Sequence, residues 1–416
     1  MKKTVALGLA FCLLLTACGK QKVPSSETEK SSASVESASL NTERINEPSA
    51  QETEPAKQSK DLHPEMHTQS FGLGDYIETE NAIYYNDRFK NRIYFSVDNG
   101  SHFYPLCSKA NCTHSDENCS ASGYGVGYFE GSLYTIRFDS EADVFLVVRI
   151  SLDGTDQNVI KKIPFPGGGA FPYTYHNGRA FLHYIPSLDS KPLDELKERL
   201  FMVDLRTGEI TEPLEDLLKD GTRIGTFRFY QNVMTAYTEG TFMENGPEQT
   251  RVLYIDMNTW EVREYMQQLS KSVWYIDDSK LYFLSAKNYY IENGIKHYVK
   301  KTNLDEGFYE VDIQTGEIIQ CLDLTGKDIF RAVYDEDYIY ATSIAKDKDD
   351  QYHTLYIYNR DYELVEQKEL DKYEFLIFVS SDRLYFSREY DYSKIYRYME
   401  KSDIGSGNMP IYDVNQ

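Results

Sequence analysis

The sequence predicts an all-β fold: a β-propeller of seven four-stranded antiparallel blades. Three observations favour it. One turn phrase recurs along the chain, short strands of alternating polarity follow one another, and tyrosine dominates the aromatic residues. The phrase is clearest at 203–210 and 311–318, where Asp-x-x-Thr-Gly-Glu stands between two apolar segments. Repetition at one period indicates a repeat architecture.

The turn positions recur regularly up to the C-terminus. They stand at residues 98, 153, 204, 256, 312, 359 and 403 and are 55, 51, 52, 56, 47 and 44 residues apart. Four-stranded units at this spacing are typical of propeller blades, so seven positions predict seven blades. One misassigned repeat would give six or eight blades. An open all-β array and two sandwiches are the alternatives to a ring.

Each unit has the same internal order. A first strand precedes a second strand with a Leu/Ile-Tyr pair, as at Leu281-Tyr282 and Leu384-Tyr385. A variable loop, a third strand, the turn and a fourth strand follow. The 35 tyrosines, against 2 tryptophans, suit short strands because the ring packs inward while the hydroxyl reaches a wet edge. The turn aspartates are expected to accept hydrogen bonds from the backbone amides that follow them.

The first residues, 1–18, are predicted to be a lipoprotein signal peptide. Lys2 and Lys3 precede an apolar stretch at 5–15, and Leu-Thr-Ala then leads to Cys18. This is the layout of a secretory signal, and its end resembles the bacterial lipobox, whose cysteine is lipidated. An ordinary signal peptide with a chance cysteine is the alternative. The prediction is an exported protein, lipid-anchored through Cys18 at the extracellular face of the cell membrane.

Residues 19–69 are predicted to be a disordered spacer and residues 70–416 the β-propeller. The spacer is rich in Ser, Glu, Thr, Gln and Lys, and it has almost no aliphatic run that could offset the entropy of ordering. As a flexible coil, a segment of this length reaches about 40 Å. It would therefore hold the propeller clear of the lipid surface.

Lipobox, spacer and tyrosine-rich repeats together resemble surface lipoproteins of Gram-positive anaerobes. Those proteins carry a propeller domain of unknown function related to the TolB-like and low-density-lipoprotein-receptor propellers. The resemblance covers roughly Phe71 to the C-terminus, and its closest local match is the Cys/His segment at 105–121. Similar lipoproteins often carry such a segment after the first blade. The resemblance implies the architecture and leaves the activity open.

The segment at 105–121 contains Cys107, Cys112, His114 and Cys119. Three thiolates and one imidazole form the ligand set of a closed, tetrahedral zinc site, so one structural zinc is one interpretation. The competing interpretation is disulfides, because an exported chain meets an oxidising compartment; one of the three cysteines would then pair with Cys321. Free thiols, with no cofactor, are the third. In each case the role is structural.

Antiparallel blades place the short Asp turns on one face and the long segments on the other. The long segments are 186–199, 238–250, 287–306 and 345–352, and the Cys/His crossover is expected beside them. Insertions on one face usually mark the binding face of a repeat protein. The aromatic and histidine candidates for ligand contact there are Phe165, Tyr173, Tyr175, His183, Tyr184, Phe242, Tyr289 and Tyr290. Each could instead be a rim residue that packs on its own blade.

The formal charge of −22 argues against a nucleic-acid partner, since a phosphate-binding surface must be basic. The chain contains no GxSxG or HExxH sequence. We therefore expect a monomeric, non-enzymatic binding module for a surface protein, peptide or glycan. The alternatives are an extracellular hydrolase or lyase acting on polysaccharide or peptide, and a scaffold of an envelope complex.

Overall fold

A computed structural model describes residues 76–414, apart from 88, 115–118, 166, 168, 188–194, 220, 242–250, 268–272, 278–279, 286–287, 293–294, 300–303, 313–314, 316, 344–351, 373 and 389–394. Apart from one separate two-stranded hairpin, its strands form seven antiparallel sheets, each built on four strands in meander order. The all-β class and the seven blades of the predicted β-propeller are therefore confirmed. Each of the seven predicted turn positions is either the last residue of the third strand of a blade or lies between its third and fourth strands.

The first three blades are built from consecutive strands, and the third has an additional short strand, β9, paired with β11. Blade 1 contains β1 (Tyr76–Glu78), β2 (Ile83–Asp87), β3 (Arg92–Ser96) and β4 (Tyr104–Pro105). Blade 2 contains β5 (Tyr124–Phe129), β6 (Ser132–Asp139), β7 (Val144–Ile150) and β8 (Gln157–Pro164). Blade 3 contains β9 (Gly169–Ala170), β10 (Tyr173–His176), β11 (Arg179–Pro186), β12 (Arg199–Asp204) and β13 (Ile210–Thr211).

The helix α1 (Glu215–Leu218) precedes the remaining blades. Blade 4 contains β14 (Thr222–Tyr230), β15 (Val233–Thr241), β16 (Arg251–Asp256) and β17 (Val262–Gln267). Blade 5 contains β18 (Val273–Asp277), β19 (Lys280–Ser285), β22 (Gly307–Asp312) and β23 (Ile318–Asp323), with the hairpin β20 (Asn288–Glu292) and β21 (Ile295–Val299) inserted. Blade 6 contains β24 (Ile329–Tyr334), β25 (Tyr338–Ser343), β26 (Tyr352–Asn359) and β27 (Leu364–Lys372). Blade 7 contains β28 (Glu374–Val379), β29 (Arg383–Arg388), β30 (Arg397–Glu400) and β31 (Tyr412–Asp413).

The connections divide between two faces because neighbouring strands run in opposite directions. We call one the turn face; it receives the connections from first to second strands and from third to fourth strands. We call the other the loop face; it receives the connections from second to third strands and the crossovers between blades. The four long segments at 186–199, 238–250, 287–306 and 345–352 join second to third strands of blades 3 to 6, as predicted.

Apolar side chains fill the spaces between neighbouring blades. The first strands lie nearest the axis, where β1 contacts β5, β5 contacts β10 and β14 contacts β18. Buried clusters join blade 1 to 2, 2 to 3, 3 to 4, 5 to 6, 6 to 7 and 7 to 1. The fourth strands are more exposed to solvent than the inner strands; in β23, four of the six residues are exposed. The apolar-inward alternation of the sequence therefore buries each blade against its neighbours.

The predictions for the N-terminal part of the chain concern residues outside the described ones. These are the signal peptide at 1–18 with Cys18 and the spacer at 19–69. In the part of the chain that the structure describes, no helix has the length and apolar character needed to cross a membrane.

Candidate metal centre and loop face

The Cys/His segment lies in the crossover between β4 and β5. One ligand atom from each of Cys107, Cys112, His114 and Cys119 lies within 4.8 Å of the other three. Within the cluster, His114 Nδ1 lies 3.4 Å from Cys119 Sγ. Ligand atoms around a tetrahedral zinc ion lie about 3.5–3.8 Å apart, given bond lengths near 2.0 and 2.3 Å. The four side chains therefore have the composition and approximate geometry of such a site.

Local backbone turns bring these residues together. The amide of Cys107 donates to Pro105 O at 2.7 Å, and that of Cys112 donates to Lys109 O at 3.3 Å. Asn111 and His114 have positive φ angles of 60° and 54°. A left-handed residue reverses the chain within a short span, so ligands only a few residues apart can point at one volume.

The cluster is anchored in the interface between blades 1 and 2. Cys107, Cys112 and Cys119 pack with the apolar residues of these blades. Ser120 O accepts hydrogen bonds from Arg137 of β6 at 2.9 Å and from Gln157 of β8 at 2.7 Å. Because β8 is the fourth strand of blade 2, the crossover runs toward the outer side of the ring. As a crossover between blades it belongs to the loop face, and its predicted position beside the long loops of that face stays a prediction.

The thiols differ in acidity. Burial raises the pKa of Cys107, but hydrogen bonds from Ser120, the Lys109 backbone and neighbouring thiols outweigh it and lower that pKa to about 6. For Cys119, burial and the adjacent Cys112 and Cys107 raise the pKa to about 11. Neighbouring thiols acquire different pKa values in this way, because one thiolate disfavours a second negative charge beside it. Metal binding would remove that repulsion.

Cys321 lies in a different part of the ring. It belongs to β23 of blade 5, where its thiol lies 3.7 Å from Ile319 O, whereas the cluster joins blades 1 and 2. No disulfide joins any of the four described cysteines. A disulfide between the cluster and Cys321 would therefore have to connect separate blades. Without it, one disulfide within the cluster would leave a third thiol unpaired.

Five of the eight ligand-contact candidates have described side chains, and all five lie in blades 2 and 3 or between them. Phe165 and Tyr184 join an aromatic group in which Phe171 lies 5.2 Å from Phe165 and 5.0 Å from Tyr184. Tyr173 begins β10 and lies 6.5 Å from Tyr124. Tyr175 is buried and donates its hydroxyl to Tyr124 O at 3.3 Å. Phe165 and Tyr173 keep partial exposure, so they are the better placed of these four to touch a ligand.

His183 is buried against the carboxylate of Glu198. Its Nε2 lies 2.8 Å from Glu198 Oε2, and only 3% of His183 and 2% of Glu198 is exposed. Glu198 also accepts the Ile224 amide at 2.8 Å, and its other oxygen lies 3.9 Å from Arg223. These contacts join blade 3 to blade 4. Sequence reasoning missed Glu198, because nothing in the charged stretch around it marks that residue as buried.

The remaining candidates are outside the side chains that the structure describes. Phe242 lies outside the described residues. Tyr289 and Tyr290 belong to β20, where their backbones pair with Tyr298 and His297 of β21. Their ligand contacts stay predictions.

No family model matches the chain, and no curated protein matches it either. Among solved structures, it is similar to a prolyl endopeptidase: 11% identity over 84% of this chain and 52% of that one, with a TM-score of 0.53. The chain thus spans about half the length of that peptidase. It is also similar to oligogalacturonate lyase from Vibrio parahaemolyticus, with 14% identity over 84% and 91% of the chains and a TM-score of 0.50.

TolB from Acinetobacter baumannii also matches, with 10% identity over 70% of this chain and 64% of that one, at a TM-score of 0.39. At such identities these likenesses show the fold alone. The fold and the cluster define the class: a seven-bladed β-propeller with a Cys/His cluster between its first two blades.

Proposed function

We propose that the chain is an exported, lipid-anchored β-propeller of the cell surface that binds a protein, peptide or glycan and is not an enzyme. The observation that carries this proposal is the contrast between the two faces. On the turn face, short turns of neighbouring blades are joined by hydrogen bonds and ion pairs. The long connections lie on the loop face. A repeat protein with variable insertions on one face usually binds its ligand there.

The turns of the turn face are tied to neighbouring blades. Asn177 Nδ2 donates to Asn232 Oδ1 at 3.2 Å between blades 3 and 4. Lys401 Nζ lies 3.0 Å from Asp335 between blades 7 and 6, and Arg206 pairs with Glu130 between blades 3 and 2. These polar groups already have partners within the ring, which favours a structural role for this face.

The loop face offers partly exposed aromatic residues near the axis. Tyr124 and Tyr173 are the first residues of β5 and β10, the strands of blades 2 and 3 nearest the axis. First strands begin at the loop face, so the two rings stand at its opening. Aromatic residues bind both peptides and sugar rings well because they bury a large apolar area with few rotatable bonds.

The anchor and spacer support a surface location. Cys18 is proposed to be lipidated, and residues 19–69 to lift the propeller from the membrane. Replacing Cys18 with Ala should move the protein from the membrane fraction to the medium. A Cys12→Ala variant, changed in the apolar stretch of the signal, is the matched control. Membrane retention of the Cys18→Ala protein would contradict acyl anchoring.

A histidine or carboxylate pair that converged on the central channel would favour the hydrolase or lyase alternative. The described His183–Glu198 pair is instead buried between blades 3 and 4, where a substrate cannot reach it. This observation favours binding over catalysis.

We also propose that the Cys/His cluster holds one structural zinc ion. Four donors that already converge leave no open coordination position, which distinguishes a structural from a catalytic site. The metal would fix the crossover between blades 1 and 2.

The binding proposal is tested with the full chain in detergent on glycan and peptide arrays. Once a ligand is found, Tyr124→Ala, Tyr173→Ala and replacement of 288–299 by a short Gly-Ser turn should each weaken binding, the better contacts by about tenfold. Arg206→Ala, on the turn face, should bind like the unmodified protein. Loss of binding on Arg206→Ala, with the loop-face variants unaffected, would refute the proposal.

A further inference from the structure

Two arginines lie directly behind the Cys/His cluster. Arg137 donates from Nε to Ser122 O at 2.7 Å and from Nη2 to Ser120 O at 2.9 Å. Arg92 is buried and donates from Nε to His114 O at 2.9 Å and from Nη1 to Ser122 Oγ at 3.0 Å. Both guanidinium groups therefore donate hydrogen bonds to backbone carbonyl oxygens of the segment that carries the ligands.

The charge of Arg137 is not balanced by a carboxylate in the described part of the chain. Its hydrogen bonds go to two neutral carbonyl oxygens, and both belong to the segment that follows Cys119. A partly buried cation with neutral hydrogen-bond partners is costly unless a negative charge lies nearby. The cluster is the nearest candidate for that negative charge.

The hydroxyl of Ser120 is a second indication of an anion. Ser120 is 8% exposed, and its Oγ has no nitrogen or oxygen partner among the described residues. Its one described side-chain hydrogen bond is to the Cys107 sulfur. A buried hydroxyl is satisfied when it donates to a thiolate, and a disulfide sulfur is a much weaker acceptor.

On the proposed metal centre, we infer that Arg137, with Arg92, supplies the counter-charge that makes this cluster a net-anionic tris-thiolate site for a thiophilic divalent cation. Three thiolates, one neutral imidazole and a divalent ion sum to −1. One disulfide and one thiol sum to zero and would leave Arg137 without a charge partner. Zinc fits this donor set, whereas magnesium and calcium require oxygen ligands.

This assigns Arg137 as a positioning residue for the metal. It holds the carbonyls of Ser120 and Ser122, which flank Cys119 and the start of blade 2, and it compensates the charge of the thiolates. Substituting such outer groups typically weakens metal binding 10- to 100-fold. Because the arginine also has a structural role, its effect on metal binding must be separated from its effect on folding.

The experiment uses the full chain, reduced and metal-free, in detergent. Zinc affinity is measured by competition with a chromophoric chelator, and cobalt binding by the thiolate-to-cobalt charge-transfer band. Arg137→Gln should weaken zinc binding about 10- to 100-fold, and Arg137→Lys should recover much of it. Arg149→Gln, an exposed arginine of β7 in the same blade, is the matched control and should bind zinc like the unmodified chain.

Thermal melting of zinc-bound and metal-free forms separates the two roles of Arg137. We expect zinc to raise the melting temperature of Arg137→Gln less than that of the unmodified chain. The inference about Arg137 would be overturned if zinc raised the melting temperatures of the variant and the unmodified chain equally and bound both with equal affinity. The metal centre itself would then still stand. An unmodified chain that takes up no zinc, with its thiols oxidised, would overturn the metal centre itself and the inference with it.

Discussion

At the scale of single residues, burial decides which polar groups serve the fold. Histidine and glutamate usually lie at the surface, yet His183 and Glu198 are almost completely buried. The distance from His183 Nε2 to Glu198 Oε2 is 2.8 Å. Glu198 also receives the amide of Ile224. A buried carboxylate with these partners is satisfied, and removing it leaves the histidine and the amide without an acceptor.

Replacing Glu198 with Ala should therefore lower the free energy of unfolding by about 3 kcal/mol. Glu198→Gln should cost less, because its amide oxygen can still accept a hydrogen bond. Urea denaturation followed by tyrosine fluorescence measures both. Glu195→Ala, an exposed glutamate of the same connection, is the control and should be nearly neutral. Equal effects of Glu198→Ala and Glu195→Ala would show that the buried pair contributes nothing.

At the scale of elements, the recurrent turn between third and fourth strands has a common hydrogen-bond pattern. Asp204 Oδ1 accepts the amides of Arg206 and Thr207 at 2.9 and 2.7 Å. Asp312 Oδ1 accepts the amide of Thr315 at 2.7 Å. The predicted role of the turn aspartates is thus confirmed.

The same turn requires a left-handed residue after the threonine. Gly208 has φ of 73°, and Trp260 has φ of 62° at the corresponding position. Gly208→Ala should lower the free energy of unfolding by about 1–2 kcal/mol because of this φ angle. Gly208→Asn, which tolerates positive φ better, should cost less. Thermal denaturation of the three proteins tests this, and an alanine variant as stable as the asparagine variant would contradict it.

The turn aspartates also predict a pH dependence of stability. Hydrogen bonds from the Ser151 hydroxyl and from Thr155 lower the pKa of Asp153 to about 2, and those from Ser96 and His102 outweigh burial to lower that of Asp98 to about 2. A carboxylate whose folded-state pKa is depressed stabilises the fold above its unfolded value. The contribution is complete above about pH 4 and disappears as the pH falls toward 2.

Asp153→Asn should therefore reduce the loss of stability between pH 4 and pH 2, since asparagine carries no charge to lose. The check is the urea midpoint of the variant and of the unmodified chain across this range. Glu209→Gln, at an exposed carboxylate of the corresponding turn of blade 3, is the control. A pH profile of Asp153→Asn that superimposes on that of the unmodified chain would exclude this turn as a source of the acid sensitivity.

At the scale of the whole molecule, side chains join the last blade to the first. Among the described residues no blade mixes strands from the two ends of the propeller. Tyr76 of β1 stacks on Phe378 of β28 with ring centroids 4.8 Å apart. Glu78 Oε2 accepts the Ser381 amide at 2.7 Å, and Tyr385 donates to Asn99 O at 2.8 Å. Stacked rings and hydrogen bonds thus join blade 7 to blade 1, whereas in other propellers a strand shared between the two ends of the chain closes the ring.

Phe378→Ala should accordingly weaken the closure and lower the free energy of unfolding by about 3–5 kcal/mol. Phe181→Ala, an equally buried ring between blades 3 and 4, is the matched control and should cost a similar amount. Hydrogen exchange distinguishes them, because only Phe378→Ala should raise exchange first in blades 1 and 7. Uniform exchange throughout the ring in both variants would refute the prediction that the contact between blades 7 and 1 opens first in Phe378→Ala.

Much of the architecture was predictable from the sequence because it depends on local, repeated signals. An aspartate before Thr-Gly specifies a turn through bonds to amides two and three residues away. This phrase and its looser copies gave seven turn positions, which predicted seven blades. The convergence of Cys107, Cys112, His114 and Cys119 was also predictable from their short spacing. The contributions of Ser120 and Arg137 were not, because contacts to Arg137 join residues from different strands.

The sequence by itself determined the class of fold, the number of blades, the division of connections between two faces and the donor set of the cluster. These follow from alternation, spacing and turn chemistry within short segments. Only the tertiary structure decided that His183 is paired with Glu198, that the cluster lies between blades 1 and 2 apart from Cys321, and that side chains close the ring. Each depends on which residues distant in the chain become neighbours, and packing between blades sets that.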